Sequence, residues 1–336
     1  MIVTVFAGSM KNTLPASDTK KIFAKAFRGC AGFSPVIVSD GGDGFLDAIK
    51  SAIPSLKEKK IDTLSADMKK IKCCVLLSEK SAYIEASLTA GITEKGSSIL
   101  MRSTKGLGIL IKKLYDGKRK IFVGIGGTMT ADIGYGMLEA LGLDVSPHAG
   151  TRILKRAVKT KKYPLLYGVS DVNSPLNGKN GATLYLKQKG ASRGETIFLN
   201  AVFDETAESL GIEDRGYMGS GGGIGAAIFL AGGKVVDNFA FMDKIIKIKK
   251  RIRESDAVAV NEGRFDIQSM NGKITGRIVK EALESGKKAF VISGSFEYNL
   301  KKAKLIKVNN PECRNKINYA EEFEKAAIKT KELIYG

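Results

Sequence analysis

The chain has 336 residues, with 54 Lys and Arg against 35 Asp and Glu, a formal charge of +19, four Cys and one His. The length exceeds what one hydrophobic core usually serves, so two domains are expected, and no apolar run or leader-like segment points to a membrane, which makes the cytoplasm the default. The single histidine argues against a histidine triad or multi-histidine metal site, and the charge raises nucleic acid as a partner to be tested against the motifs.

The first strand, IVTVF, runs into the loop AGSMKNTLP. A helix over 17–28 follows, with Ile22, Phe23, Ala26 and Phe27 on one face. A second strand, PVIVS, meets the acidic turn SDGGDG, and Phe45, Ala48, Ile49 and Ile53 mark a short amphipathic helix. Two β-α units in succession predict a doubly wound parallel sheet. From Lys59 the pattern becomes a meander, KIDTL, KIKCCVLL and SAYIEASL, which reads as inserted material. A helix over 104–115, the strand IFVG, the turn GIGGTMTAD and the helix IGYGMLEALG restore alternation. His148, in the turn-like run VSPHAG, is expected in a solvent-exposed loop.

Next come the strand PLLYGVSDV with Asp171 at its carboxyl end, a helix over 195–210 and the cluster GYMGSGGGIGAAIFLAGG. The densest basic run, KIIKIKKRIR from Lys244, fits a basic helix face or a strand. Without an aromatic ladder, recognition-helix pattern or zinc spacing it reads as solvated surface, and nucleic acid is disfavoured. The chain then returns to β-α order through DAVAV, NEGRFD, a helix over 275–284, AFVISG, KLIKV and a last helix. The expected architecture is a two-domain α/β protein with a flavodoxin- or Rossmann-like doubly wound parallel sheet. Residues 1–58 and 237–336 would form that domain, and 59–236 an inserted α/β domain. Cys30, Cys73, Cys74 and Cys313 match no zinc or disulfide spacing and read as buried thiols.

Three glycine turns each carry an acid: SDGGDG from Ser39, GIGGTMTAD from Gly124 and NEGRFD from Asn261. Strand, glycine turn, acid and helix together suit phosphate and magnesium, because glycine lets backbone N–H groups approach an anion and the helix adds its positive end. Asp40, Asp171 and Asp266 are candidate magnesium ligands, Asp43 and Asp132 candidate catalytic acids, and Arg264 with Lys11 a candidate clamp. Gly126, Gly127, Thr128, Ser220, Gly221, Gly222, Gly223 and Glu262 are candidate nucleotide contacts. Caps and turns are the competing reading for Asp40, Asp43, Asp132 and Asp171, close packing for the Ser220 cluster, and a surface ion pair for Arg264. There is no Walker A motif, since Ile267 stands where the first glycine would precede NGKIT, and no kinase HRD or DFG set.

The motifs together resemble the bacterial-type glycerate kinase family, whose runs are PDSFKGSLSA, ADGGEGT, GLGGSATNDGGAGMLQALG, CDVDNPLTG, QKGA, GLGAAL and TGEGRLDxQTxxGK. Here AGSMKNTLPA, SDGGDGF, GIGGTMTADIGYGMLEALG, SDVNSPLNG, QKGA, GSGGGIGAAI and NEGRFDIQSMNGK occur in the same order. The resemblance implies ATP- and Mg²⁺-dependent phosphorylation of glycerate to phosphoglycerate, with the 2-phosphate mildly favoured. Lys11, Lys189 and Lys273 fill lysine positions of those motifs. Gly8 replaces the aspartate of PDSFKG, Ala131 the asparagine of SATND, and Asn261 falls within TGEGR, so a different small hydroxy acid or polyol, or a catalytically weak nucleotide-binding homologue, stays open.

Overall fold

The computed structural model describes residues 1–10, 13–213, 215–270, 272–298, 300–308 and 316–336. The chain divides into two compact units, Met1–Pro54 with Asn238–Gly336, and Ser55–Asp237. In chain order the strands are β1 (Val3–Ala7), β2 (Phe33–Ile37), β3 (Lys57–Leu64), β4 (Lys70–Leu77), β5 (Ser81–Glu85), β6 (Lys120–Gly124), β7 (Val145–Pro147), β8 (Leu154–Ala157), β9 (Leu166–Ser170), β10 (Lys234–Asp237), β11 (Ala257–Phe265), β12 (Lys288–Phe296) and β13 (Lys304–Lys307).

In the first unit a parallel sheet has the order β13-β12-β11-β1-β2. Every residue of β1 is buried, as a strand covered on both faces requires. Val3, Val5 and Ala7 share a core with Phe23 and Phe323, whose rings meet edge to face at 5.3 Å. The chain leaves β1 towards β2 through helix Ala16–Ala26, and leaves β11 towards β12 through helix Ile274–Glu284. Strand order therefore reverses between β1 and β11, and the crevice at their carboxyl ends is where open α/β sheets bind ligands.

One expectation is corrected here. NEGRF is strand, not a glycine turn: β11 continues to Phe265, with Glu262, Arg264 and Phe265 opposite Ser293, Ser295 and Phe296 of β12. Pairing with β1 stops at Phe6↔Val260, so beyond it β11 has β12 alone as its strand partner. Gly294 on β12 marks close backbone approach here, since a Cβ on it would lie 2.9 Å from the Gly263 carbonyl oxygen.

In the second unit the six-stranded sheet runs β10-β9-β6-β5-β4-β3, parallel from β10 to β5 and antiparallel thereafter, so the predicted meander is present. Leu107, Leu110, Ile111 and Leu114 of helix Lys105–Leu114 enter its core with Met137 and Leu138. Helix Arg193–Leu210 starts with a capping box between Ser192 and Glu195. It also packs against β8, in the hairpin of β7 and β8, which explains a second correction: His148 is only 9% exposed, with its Nε2 3.3 Å from Thr206 Oγ1. Burial pushes its pKa down.

The basic run resolves into helices Asn238–Ile246 and Ile248–Glu254, broken at Lys247, whose φ is 59°. Cys73 is a buried free thiol pushed up to about 12 by burial, whereas Cys30 and Cys74 are half-exposed rather than buried, and Cys313 lies outside the described residues. Among the described residues no helix is long and apolar enough to cross a membrane.

Candidate active site

The turn after β2 is set by Ser39. Its hydroxyl accepts from Gly41 N–H at 3.2 Å and donates to the Asp43 carbonyl at 3.1 Å, while Gly41 and Gly44 take φ values of 82° and 78° that favour glycine. This turn aims the Asp40 carboxylate at helix Ile274–Glu284, where Oδ1 accepts the Ile274 N–H at 2.9 Å. Glu262, 8% exposed on β11, accepts from Thr275 Oγ1 at 2.6 Å and pairs with Lys273. Asp40 is raised to about 6, first by burial and then by the Glu262 charge, against the Ile274 N–H and Lys273. Burial weighs against the Lys273 charge, but Glu262 and Asp40 outweigh it and its pKa is raised.

Asp40, Glu262, Lys273 and Thr275 thus converge at one end of one sheet. Two carboxylates share one lysine there, and the repulsion between them is the kind that a divalent cation relieves. Asp43 stands exposed just before helix Phe45–Ala52.

Two further expected members, Arg264 and Asp266, lie in the same unit. Arg264 is exposed and already engaged, with Nη2 2.5 Å from Glu297 Oε2 and Nε 3.5 Å from Asp266 Oδ2. Asp266 Oδ1 accepts the Ser269 N–H at 3.0 Å, as a helix cap. Lys11 lies outside the described residues. Asp171, half-buried beyond β9, belongs to the other unit, and its charge adds to burial in raising the Tyr185 pKa. Among the described residues, no three His, Cys, Asp or Glu side chains are grouped to hold a metal.

The departures at Gly8 and Asn261 meet each other. Asn261, fully buried, accepts the Gly8 N–H through Oδ1 at 3.0 Å and donates through Nδ2 to the Gly8 carbonyl at 2.8 Å. A side chain at position 8 would start 3.1 Å from the Asn261 carbonyl oxygen. Where the family motifs have an aspartate on one strand and a glycine on the other, this chain has a glycine and an asparagine. Ala131 is a core residue.

In the second unit, the loop after β6 begins with the Ile125 N–H on the Val169 carbonyl at 3.1 Å and resumes with the Met129 N–H on the Ala90 carbonyl at 2.8 Å. Between them, among the described residues, the N–H groups of Gly126, Gly127 and Thr128 take no protein acceptor, and Gly127 has φ 68°. Successive unpaired N–H groups around a left-handed glycine form an anion-binding concavity. The Thr128 side chain departs from expectation: it is buried, and its Oγ1 and carbonyl accept from Lys189 Nζ at 3.1 and 2.5 Å.

Asp132 serves as a structural anchor. It is 1% exposed and accepts from Thr104 N–H and Oγ1, both at 2.8 Å, and from the N–H groups of Gly134 and Gly136 at 3.1 and 3.2 Å. Burial raises its pKa against the pull of those bonds. Oδ2 alone bridges the two helices, taking Thr104 at the start of Lys105–Leu114 and Gly136 in Tyr135–Ala140, while Oδ1 takes the Gly134 N–H. The Ser220 cluster is closely packed. The buried Ser220 hydroxyl donates to the Val172 carbonyl at 2.6 Å, and Gly221, Gly222 and Gly223 take φ values of 65°, 74° and 97°. A Cβ on Gly222 would lie 2.1 Å from the Thr130 carbonyl oxygen, and one on Gly223 2.4 Å from the Ile133 Cα.

Sequence reasoning missed Arg102. It is 5% exposed, with Nη1 on the carbonyls of Met129 and Lys189 at 3.0 and 2.6 Å, Nη2 on the Ser97 carbonyl at 2.8 Å and Nε on Ser97 Oγ at 3.1 Å. Its sole cue in the sequence is a charge directly after the apolar ILM of Ile99–Met101.

A sequence model of the glycerate kinase family matches residues 3–335. Curated relatives include glycerate 2-kinase of Escherichia coli, 27% identical over 326 residues and covering 88% of this chain and 85% of that protein. Another is a glycerate kinase of Halalkalibacterium halodurans, 28% identical over 323 residues, covering 87% and 85%. Among solved structures, a putative glycerate kinase 2 from Salmonella typhimurium shares the fold, with a TM-score of 0.77 at 23% identity over 99% of this chain and 98% of that one.

Proposed function

The chain belongs to the glycerate kinase family, and on that premise we propose that it transfers the γ-phosphoryl group of ATP to glycerate by direct in-line attack, giving 2-phosphoglycerate. The observation that carries the reading is the convergence of Asp40, Glu262 and Lys273 at the crevice where strand order reverses. The relative named glycerate 2-kinase supports the 2-hydroxyl as acceptor.

In the proposed mechanism the N–H groups of Gly126, Gly127 and Thr128 hold phosphate oxygens without reorganising as charge moves. Asp40 and Glu262 would hold a magnesium ion, which takes one or two protein carboxylates and would supply charge neutralisation. Lys273 offsets part of the negative charge of that pair. Asp43 orients the attacking hydroxyl. Because a loose phosphoryl-transfer transition state places little demand on a base, positioning by an exposed carboxylate suffices, and the buried Asp132 is not required.

The test is a coupled assay of ADP release across both glycerate enantiomers, tartronate, erythronate and glycerol, with the product's phosphate position read by ³¹P NMR. Turnover of glycerate with the phosphate on the 2-hydroxyl is expected. Turnover confined to another acceptor, or none with any, refutes the assignment.

A further inference from the structure

Arg102 carries a full charge where the fold gives it only neutral partners. Each of its described hydrogen bonds ends on a carbonyl or a hydroxyl, and among the described residues no carboxylate pairs with it. Such a charge is costly to bury unless a counter-ion arrives. Burial pulls its pKa down, and Asp67 and Glu195 only partly oppose this.

What Arg102 holds is informative. It fixes the Met129 carbonyl, while Lys189, 8% exposed and itself anchored by its carbonyl to Arg102, fixes the Thr128 carbonyl. Two cations therefore turn the carbonyls of the loop inwards, directly beside the stretch whose N–H groups at Gly126, Gly127 and Thr128 have no acceptor. Removing the carbonyls from the concavity and placing positive charge behind it are the two requirements for a polyanion.

We infer that Arg102 is the positioning residue and standing counter-charge of a polyphosphate subsite at Gly126–Thr128. It acts through the loop rather than by touching phosphate, because four of its five N–H groups already hold Ser97, Met129 and Lys189. The inference rests on the kinase reading only in taking the occupant to be the phosphate chain of a nucleotide; free pyrophosphate has the same chemistry.

Binding of ADP, pyrophosphate and adenosine to the full chain, by calorimetry at several salt concentrations, tests this with Arg102→Gln, Arg102→Lys and, as a surface control, Arg156→Gln. Loss of a charge-assisted contribution predicts about tenfold to a hundredfold weaker binding of both ADP and pyrophosphate in Arg102→Gln, with a shallower salt dependence. The KM for ATP rises in parallel and the KM for the hydroxy acid is unchanged. Arg102→Lys stays within about tenfold of wild type, and Arg156→Gln is unaltered. Unliganded Arg102→Gln melts lower than wild type, because the Met129 and Lys189 carbonyls lose their donors, so anion binding and its salt dependence carry the decision. A variant that melts several degrees lower yet binds both ligands like wild type would make Arg102 a brace alone and overturn the inference. If Arg102→Gln does not fold, Arg102→Lys decides: binding lost by more than a hundredfold, or wild-type protein that binds neither anion, is equally fatal. Failure of the proposed function is distinguishable, since pyrophosphate binding that depends on Arg102 can persist in a protein that phosphorylates no hydroxy acid.

Discussion

Asp40→Asn should stabilise the protein at alkaline pH while impairing it as an enzyme. The asparagine Oδ1 keeps the place of the oxygen that accepts the Ile274 N–H, so the cap survives and only the charge is removed. The carboxyl is raised from 3.8 to about 6 by burial and by Glu262. A shift of about two units at roughly 1.4 kcal/mol each sets a ceiling of about 3 kcal/mol on what ionisation costs the fold. The sign follows from proton binding: between about pH 4 and 6 the unfolded chain has released this proton and the folded chain has not, so wild-type stability from this group falls as pH rises and is flat above about 6. The variant's advantage is therefore near zero at pH 4, about half its full value near pH 5, and greatest at pH 8. Urea unfolding across that range, beside steady-state kinetics, measures both sides. A variant less stable than wild type at pH 8 by as much as at pH 4 would refute the claim that the fold holds Asp40 against its preference.

Asp43→Ala should lower kcat/KM by about 10² to 10³-fold with no change in melting temperature, read by the coupled assay and a thermal melt. Asp132→Asn should do the reverse, costing about 1–3 kcal/mol as an amide NH₂ in the Oδ1 place meets the Gly134 donor, while KM values in the folded fraction stay put. Asn261→Ala should cost about 1–3 kcal/mol in urea unfolding, because the N–H and carbonyl of Gly8 lose their buried partners.

The sequence reveals the elements whose signal is local. The apolar stripe at Leu107, Leu110, Ile111 and Leu114 and the meander of β3, β4 and β5 lie where periodicity placed them. Errors arise where tertiary contacts decide. Gly263 reads as a turn until β12 is seen to hold it extended, and His148 reads as exposed until a helix more than 40 residues later covers it. At the candidate site the motifs single out loops but do not say what each side chain holds. Asp40 and Asp132 are both acids beside glycine turns, yet one is left in tension with Glu262 and the other is saturated by four donors. Arg102 was invisible because nothing in its neighbourhood says that it folds back onto a loop 27 residues away.

The reciprocal bonds between Gly8 and Asn261 also restrict how this chain can exchange parts with its relatives. An aspartate grafted onto position 8 alone would press its Cβ towards the Asn261 backbone and bring a second polar side chain into space that the carboxamide already fills. A glycine grafted onto position 261 alone would strand the Gly8 amide. Either single step is unfavourable, and the two together offset part of each other's cost. Chimaeras that exchange β1 with the residues after it, or β11, should therefore be more stable when both segments come from the same parent.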